Sequence, residues 1–460
     1  MTSVYLPRWF AVFVVLVLAS GCRTSGPSAD SPLSAEDLPE AFSTEGTSPL
    51  SSRWWESFED ELLNQLMDQA LRGNFQIREF RSRVAEAEAV ARVQVSDRFP
   101  EVNLEASARR EDSERDEPDR FFAGLGAEFE LDLWGRLDDL ADAERLQAEA
   151  TAEELQTAAI TLSAETALAR MQGLAARGGV MLLQDQVKDN TALVDSLTQR
   201  FRAGQAERVD VLRQEQLLLE TRRLLTDARA DVRVLSHQLA VLTGNAPGEF
   251  QGPEDTELPA VPELPATGIP LETLTRRPDV RAAWLQVLSA DREVAAAISN
   301  RFPRISISAS YGGESQDVSD FVEEWLWTLA GNLTAPLFDG GERRAEVDRA
   351  GAVLEQRLAA YGQTLLEAMQ EVEDALVREQ QQADQVQDLI TQRLLASETL
   401  QQLELSYQNG VASFLDVLSA RTQLQELERE TLFARLDRLR FRIALHRALA
   451  GGFQLERETP

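Results

Sequence analysis

Two acidic residues, Asp210 and Asp416, lie in a motif that the chain contains twice. The copies span Phe201–Leu212 and Tyr407–Leu418, and in each an aromatic residue is followed three positions later by glycine and then by Asp-Val-Leu. Carboxylates of this kind could act as general acids or bases, carry charge in a pore, or cap a helix. Neither acid has the sequence context of a nucleophilic or glycosidase site, so the repeat predicts a gate or a structural corner.

The two histidines are the other candidates for chemistry. His237 and His446 lie on amphipathic helical segments, and they are not equivalent in the two halves of the chain. A metal ion or a general base needs partner residues at suitable spacing, and no such partners accompany either histidine. We therefore predict that both histidines lie at the surface or in a groove, that the protein binds no metal, and that it is not an enzyme.

The single cysteine, Cys22, follows an N-terminal apolar run and cannot form an internal disulfide. The run at 9–18 is too short to span a bilayer as a mature helix, so residues 1–21 are predicted to be a cleaved export signal. The Ser-Gly-Cys sequence resembles a bacterial lipobox, which implies acylation (palmitate) of Cys22. The alternative is a plain secretory signal with an incidental cysteine. Arg23, rather than Asp, comes next, which favours the outer membrane.

Composition excludes one class of partner. A formal net charge of −31 over 460 residues argues against binding nucleic acid, since phosphate neutralisation needs basic patches. Residues 22–53 are rich in Ser, Pro and acidic residues, and are predicted to form a lipidated tether. No later stretch approaches the roughly 18 unbroken apolar residues of a membrane helix. Any crossing of a membrane would therefore use strands.

The chain consists of two homologous halves. Arg98-Phe-Pro100 recurs as Arg301-Phe-Pro303, in the same order relative to the repeated acidic motif. Each half reads as a helix, two strands, a long helix, a glycine break and another long helix. The predicted segments are a first repeat at 54–244, a linker at 245–270, a second repeat at 271–452 and a tail at 453–460.

The long helical segments are too long for a compact domain. Residues 135–199 and 340–405 keep helical spacing throughout, which corresponds to roughly 100 Å each if continuous. Such lengths indicate coiled-coil packing. Gly173, Gly178 and Gly179 weaken the predicted continuity of the first segment.

Four segments alternate apolar and polar residues, and each has about the 9–11 residues of a tilted membrane strand. They are predicted at 101–110, 121–133, 304–313 and 325–337. Their apolar faces carry aromatic residues close to the loop ends, where a bilayer interface would lie: Phe121, Phe122, Trp325 and Trp327. Four strands cannot close a barrel, so several subunits must share one, and twelve strands from three chains is the simplest solution.

These features occur in one order that resembles a known family. Besides the repeated motifs and the lipobox, the chain contains Arg276–Arg281 (Arg-Arg-Pro-Asp-Val-Arg) and Pro336–Gly341 (Pro-Leu-Phe-Asp-Gly-Gly). The stretch from about Trp54 to Gly452 resembles an outer-membrane factor of the TolC type, in the lipoprotein branch that serves RND efflux pumps. The resemblance implies a mixed α and β membrane protein, a homotrimer in which a shared twelve-stranded barrel continues into a periplasmic α-barrel.

The resemblance also gives the repeated motif a location at the closed periplasmic end of the tunnel. By position, Asp416 matches a constricting aspartate, Asp210 is its counterpart, and Tyr407 matches the aromatic residue of a gate hydrogen-bond network. Ser413 and Ser419 stand where relatives often carry charge. We therefore expect closure to depend more on packing by three apolar residues: Phe201, Phe414 and Leu415.

Gly204 and Gly410 are predicted to be turn glycines between helices, with positive φ. An alternative role for both aspartates is to cap or brace the helix after each glycine.

The implied function is passive conduction. The chain would be the exit duct of a tripartite efflux pump, with a periplasmic adaptor and an inner-membrane RND transporter as partners and no cofactor beyond the lipid on Cys22. A conduit of type I protein secretion is the nearer alternative, and a structural coiled-coil envelope lipoprotein is the more distant one.

Overall fold

The computed structural model describes residues 38–109, 120–248, 255–315, 325–449 and 455. The predicted signal at 1–21, the predicted lipidation site Cys22, the beginning of the predicted tether and all of the predicted tail except Leu455 lie outside these residues. After a short 3₁₀ helix at Trp54–Phe58, the elements are α1 (Glu61–Gly73), α2 (Phe75–Ser96), β1 (Glu101–Arg109), β2 (Arg120–Leu131), α3 (Arg136–Arg202), α4 (Arg208–Leu242), α5 (Pro270–Thr275), α6 (Pro278–Ser299), β3 (Arg304–Ser315), β4 (Trp325–Thr334), α7 (Glu342–Gln408) and α8 (Phe414–Ala448). The chain divides into two units.

The first unit, which includes residues 82–153 and 281–364, contains an antiparallel sheet in the order β1-β2-β3-β4. The register aligns one apolar residue from each strand in a row across the sheet: Leu104, Leu125, Tyr311 and Trp327. All four side chains are at least 48% exposed. Because side chains alternate between faces, one face of the sheet is apolar over all four strands, and the described residues of this chain do not cover it.

Two of the strands end earlier in the structure than the sequence predicts. The strand predicted over 325–337 ends at Thr334, since Pro336 has no N–H to donate to a ladder. The strand predicted over 121–133 ends at Leu131. Just beyond it, the Trp134 indole N–H donates to the Pro303 carbonyl oxygen at 2.7 Å, and its ring stacks on Phe302 at 5.0 Å.

The helices of the first unit are held by a contact between the two repeats and a contact within the second repeat. The Ser289 hydroxyl on α6 donates to the Ala143 carbonyl oxygen on α3 at 2.9 Å. Trp284 on α6 packs on Tyr361 of α7, with ring centroids 5.1 Å apart. The helices on which the strands are mounted therefore come from both halves of the sequence.

The second unit, which includes residues 38–81, 154–248, 255–280 and 365–449, contains most of the long helices. The first long helix is continuous through Gly173, Gly178 and Gly179, in contrast to the predicted weakening. A Cβ atom at Gly178 would lie 3.0 Å from the Thr256 carbonyl oxygen, so a glycine there permits the close approach of the linker. No helix among the described residues combines the length and apolar composition needed to cross a bilayer.

A buried ion pair links the start of α1 to α3. The Arg170 side chain is 4% exposed, and its Nε lies 2.8 Å from Asp60 Oδ2. Asp60 also accepts from the backbone N–H groups of Leu62 and Leu63, which caps α1. One carboxylate therefore caps the start of a helix and pairs with a buried cation.

His446 differs from its predicted surface or groove position, whereas His237 is exposed. The His446 imidazole is 6% exposed and stacks on Trp54 with ring centroids 5.1 Å apart. The end of α8 packs against the 3₁₀ helix, and the Phe58 ring of that helix also lies against the imidazole, with ring centroids 6.4 Å apart. Burial, followed by the nearby Arg442 charge, lowers the pKa of His446 to about 4.

Candidate functional site

The two copies of the acidic motif form two helix junctions within the second unit. We call Phe201–Leu212 the first junction and Tyr407–Leu418 the second junction. Gly204 and Gly410 have φ angles of 73° and 74°, the left-handed conformation that glycine adopts without steric cost.

Each long helix ends in the same hydrogen-bond pattern. In the first junction, the Gln205 N–H donates to the Arg200 carbonyl oxygen at 2.8 Å, and the Gly204 N–H donates to that of Phe201 at 2.9 Å. In the second junction, Val411 donates to Ser406 at 2.8 Å and Gly410 donates to Tyr407. This is the Schellman motif, which satisfies the last carbonyl groups of a helix. The repeated aromatic-x-x-Gly spacing is therefore the sequence form of a helix C-terminus.

The second junction starts its next helix with a capping box. The Ser413 hydroxyl accepts from the Asp416 N–H at 3.3 Å, and the Asp416 carboxylate accepts from the Ser413 N–H at 3.0 Å. The Ser413 hydroxyl also lies 2.7 Å from the same carboxylate. These hydrogen bonds, from the hydroxyl first and then from the backbone N–H, hold the pKa of Asp416 below its usual range. Asp416 is exposed and ionised at neutral pH.

The first junction lacks this cap. Glu207 occupies the N-cap position of α4 and makes no side-chain capping hydrogen bond. The Asp210 N–H donates to the Glu207 carbonyl oxygen at 3.2 Å, and the Asp210 side chain is half-buried. The same Asp-Val-Leu sequence thus begins two helices with different capping chemistry.

An apolar cluster brings the two junctions together. Leu197 and Val211 of the first repeat are buried against Phe414 of the second, at 1%, 0% and 4% exposure respectively. Three partly buried residues complete the cluster: Leu193, Tyr407 and Leu418. The Tyr407 and Phe414 ring centroids are 5.7 Å apart. The predicted gate residues Tyr407 and Phe414 are therefore in contact.

The other two apolar residues of the predicted gate lie outside this cluster. Phe201 is 38% exposed and Leu415 is 47% exposed. The Arg208 guanidinium lies over the Phe201 ring at 5.9 Å from its centroid. Within one chain, Phe201 and Leu415 are available for contacts with another molecule.

Arginine side chains accompany the acids, which the sequence reasoning did not anticipate. The Arg200 guanidinium, in the last turn of α3, lies over the Tyr407 ring of the second junction at 5.0 Å from its centroid, which is a cation–π contact. Further from the turn, Arg421 of α8 forms an ion pair with Glu404 of α7. The junction region therefore carries both signs of charge.

Two signals in the sequence could have found these features. Ser-x-x-Asp before an apolar run is a variant of the capping-box signature, so Ser413 was recognisable as an N-cap instead of a missing charge. Arg200 precedes Gly204 by one helical turn, where cations are common at helix C-termini. Its contact with Tyr407 depends on tertiary packing.

The site offers helix ends, buried apolar clusters that include Phe414 and Val417, and exposed charges. No group of three or more His, Cys, Asp and Glu side chains within the described ranges is arranged to hold a metal ion. The arrangement can close a narrow opening, select ions by charge, or dock another helix end.

The family described as "Outer membrane efflux protein" matches this chain twice, over residues 66–245 and 269–451. The two matched segments correspond to the two repeats and together cover more than half of the chain. The double match supports tandem duplication as the origin of the two halves.

Individual relatives are similar over nearly the whole length. The pyoverdine export outer membrane protein OpmQ of Pseudomonas putida is 27% identical, with 99% of each chain covered. The toluene efflux pump outer membrane protein TtgI of Pseudomonas putida is 29% identical over 87% of each chain. The structure of the outer-membrane channel OprN is 28% identical, covers 93% of this chain and 99% of its own, and superimposes with a TM-score of 0.86.

Proposed function

Since the chain belongs to the outer membrane efflux protein family, whose TolC-type members are channels and not enzymes, we propose that it is the exit duct of a tripartite efflux pump. The protein is located in the outer membrane. In this proposal, an inner-membrane RND transporter and a periplasmic adaptor deliver small molecules to the duct. The duct performs no chemistry, and the transporter supplies the energy.

The four-stranded sheet is the observation that carries this proposal. Its apolar face is exposed, and among the described residues β1 pairs only with β2 and β4 pairs only with β3. An open sheet edge and an uncovered apolar face are both unfavourable in water. Three copies joined edge to edge would close a barrel of twelve strands, with the apolar face toward lipid.

The assembly is tested on the purified full chain in detergent. We expect a mass three times that of one chain, and migration on electrophoresis that changes after heating. A monomer that stays soluble without detergent would contradict the proposal.

A matched pair of variants tests the face of the sheet. Leu104 and Asn103 are neighbours on β1 with side chains on opposite faces. Leu104→Arg should cost about 2–4 kcal/mol near the middle of a bilayer and reduce membrane assembly. Asn103→Arg should assemble normally because it faces the lumen. Equal assembly of both variants would exclude this placement of the sheet.

The gate is the second part of the proposal. In a trimer, the junctions of three chains converge at the periplasmic end, and each chain contributes Asp210 and Asp416. Carboxylates around a narrow pore repel each other and attract cations. Exposed Phe201 and Leu415 would pack between subunits in the closed state.

Single-channel conductance in planar bilayers distinguishes a pore charge from a helix cap. Asp416→Ala removes both the carboxylate and half of the capping box, whereas Ser413→Ala removes the side-chain cap and keeps the carboxylate. If Asp416 is a gate residue, Asp416→Ala should raise conductance and lower cation preference, and Ser413→Ala should do neither. Equal changes in both variants would assign Asp416 to the helix brace.

The remaining parts concern the anchor and the pump. Cys22→Ala should abolish acylation, measured by mass spectrometry, while the sheet still inserts. Co-purification with a periplasmic adaptor and a transporter should depend on the full-length chain. Loss of the protein should raise cellular sensitivity to exported compounds, and unchanged sensitivity together with loss of a secreted protein would contradict the pump role.

A further inference from the structure

A buried amide joins three long helices in the second unit. Asn190 of α3 is 0% exposed. Its Nδ2 donates to Thr221 Oγ1 at 3.0 Å and to Gln425 Oε1 at 3.3 Å, while its Oδ1 accepts from Gln214 Nε2 at 3.2 Å and from Gln425 Nε2 at 3.3 Å. Both donors and both lone pairs of the amide are used. We call these four residues the Asn190 hub.

A second set of hydrogen bonds links α3 to α8 beside the hub. Gln186 is 4% exposed. Its Nε2 donates to Glu428 Oε2 at 2.9 Å and to the Gln425 carbonyl oxygen at 3.3 Å, and its Oε1 accepts from Arg429 at 2.8 Å. At this level, α3 and α8 are therefore joined by hydrogen bonds, and these require the donors and acceptors of the two helices to face one another.

The second repeat does without such a layer. The helices of the two repeats have equal lengths, 67 residues for α3 and α7 and 35 for α4 and α8, which aligns their positions. The residues equivalent to Asn190, Gln214 and Thr221 are Ala396, Ala420 and Leu427. Leu427 is buried in an apolar cluster against which Ala396 packs. An apolar layer thus packs a helix pair of this length, so the polar side chains of the first repeat serve another purpose.

Buried polar side chains in packed helices specify register more than stability. A register shift would separate the amide from its partners and leave buried polar groups unsatisfied. An apolar layer imposes no such penalty, since one aliphatic side chain can replace another after a slip.

The connectivity shows which register needs setting. Residues 203–207 join α3 to α4, and this short connection fixes the axial register between the two helices. α8 belongs to the second repeat and is joined to α7. Its axial position against α3 therefore depends on side-chain contacts.

We propose that Asn190 is a positioning residue that sets the axial register of α8 against α3 and α4. This inference rests on the proposed gate. The hub lies 14 residues from Gly204 and 15 from Gly410, about 20 Å along the helices. By preventing α8 from slipping, the hub holds the two junctions at one level, where they can close together.

Two double variants separate this role from ordinary packing. Gln186→Leu/Gln425→Leu removes the side-chain hydrogen bonds of both glutamines between α3 and α8, and leaves Asn190 bonded to Gln214 and Thr221. Gln214→Leu/Thr221→Val is the matched control, because it removes two buried polar side chains between α3 and α4 and leaves Asn190 bonded to Gln425. Each variant keeps the Asn190 amide bonded.

Register is read from a distance between spin labels at Lys188→Cys on α3 and Glu430→Cys on α8, both exposed positions. The assembled protein is diluted with unlabelled chain so that only distances within one chain are measured. The chain without introduced cysteines controls for labelling at Cys22. Thermal unfolding and single-channel conductance are measured on the same samples.

The Gln186→Leu/Gln425→Leu variant should give a second distance, displaced by up to one helical turn of about 5.4 Å, and a raised closed-state conductance. Its thermal midpoint should stay close to that of the unmodified protein. The Gln214→Leu/Thr221→Val variant should keep one narrow distance. A single unchanged distance in both doubles, or the same broadening in both, would overturn the proposal. If either double fails to assemble, the single variants Gln425→Leu and Thr221→Val give the same contrast.

Failure of the proposed function would look different. The unmodified protein would then show no conductance, whereas the distance measurement would still report whether the hub sets register.

Discussion

The first and second junctions have the same backbone turn and different helix starts. Both end a 67-residue helix with a Schellman motif at a glycine. In the first junction, the helix that follows begins at Arg208, and the N-cap residue Glu207 makes no side-chain capping hydrogen bond. In the second junction, the helix begins at Phe414, and Ser413 and Asp416 form a capping box around its first turn.

This comparison shows that the two repeats share the turn and differ in the start of the helix that follows it. The turn is kept because only a residue that tolerates positive φ can reverse the chain there. The first residue of the next helix is free to differ, so Phe414 is buried while Arg208 lies over an exposed ring. We expect the second junction to be the more firmly held and the first junction to open more readily.

Removing Phe414 should have the largest effect. Phe414→Ala deletes the buried ring that joins both junctions and should cost about 3 kcal/mol of stability. Arg208→Ala, at the equivalent position, should cost less than about 0.5 kcal/mol because an exposed side chain is removed. Thermal unfolding and hydrogen exchange of the 406–418 amides measure the contrast. Similar losses in the two variants would show that the junctions are equally braced.

The turn glycines should respond equally. A Cβ atom at Gly204 or Gly410 would meet no atom within 4 Å, so alanine costs only the unfavourable φ angle, about 1–2 kcal/mol. Gly204→Ala and Gly410→Ala should lower the thermal midpoint by similar amounts. A much larger effect at one glycine would mean that the turns differ in the assembled protein.

The caps can be exchanged between junctions. Ser413→Ala should cost about 1 kcal/mol, because the Asp416 N–H loses its acceptor. Glu207→Ser places a hydroxyl three residues before Asp210 and should stabilise the first junction by roughly 0.5 kcal/mol. Hydrogen exchange at the start of α4 and α8 reports each change. Unchanged protection of the α4 start in Glu207→Ser would show that this backbone cannot accept a cap.

The smallest effect is on pH dependence. The pKa of Asp416 is lower in the folded protein, so the unfolded chain binds more protons in acid. The stabilisation is therefore complete above the usual aspartate pKa and is lost as pH falls through the lower folded value. Ser413→Ala should bring the pKa of Asp416 closer to its value in the unfolded chain, so that the stability lost in acid becomes smaller and the loss ends at a higher pH, as measured by hydrogen exchange of α8 amides against pH. An identical profile in the variant would show that the hydroxyl bond is not the cause.

Much of the fold followed from the pattern of residues. Alternation located the four strands, and helical spacing with Gly breaks located the long helices, because these periods reflect local geometry. The three glycines inside α3 predict a weakened helix, and this prediction is wrong. Helix continuity there depends on neighbouring helices and on the linker that approaches Gly178. In the sequence, Ser413 stands out only as a position without a charge. Its role as a helix cap depends on where the backbone N–H groups lie in the structure.

The Asn190 hub could not be found from the sequence. Gln186, Asn190, Gln214 and Gln425 read as ordinary polar residues on long helices, and nothing local distinguishes a buried amide from an exposed one. Their burial depends on contact between α8 and the helices of the first repeat, and Gln425 is 235 residues from Asn190 along the chain.

By itself, the sequence determined the duplication, the element types, the two turn glycines and the resemblance to outer-membrane efflux channels, because all of these are written in short-range spacing. Tertiary structure decided which equivalent residues became different: Phe414 buried and Arg208 exposed, Asp416 in a capping box and Asp210 outside one, Asn190 in a polar hub and Ala396 beside an apolar cluster. The physical reason is that helix geometry depends on neighbours three or four residues apart, whereas burial and hydrogen-bond partners depend on which distant helix packs against each face.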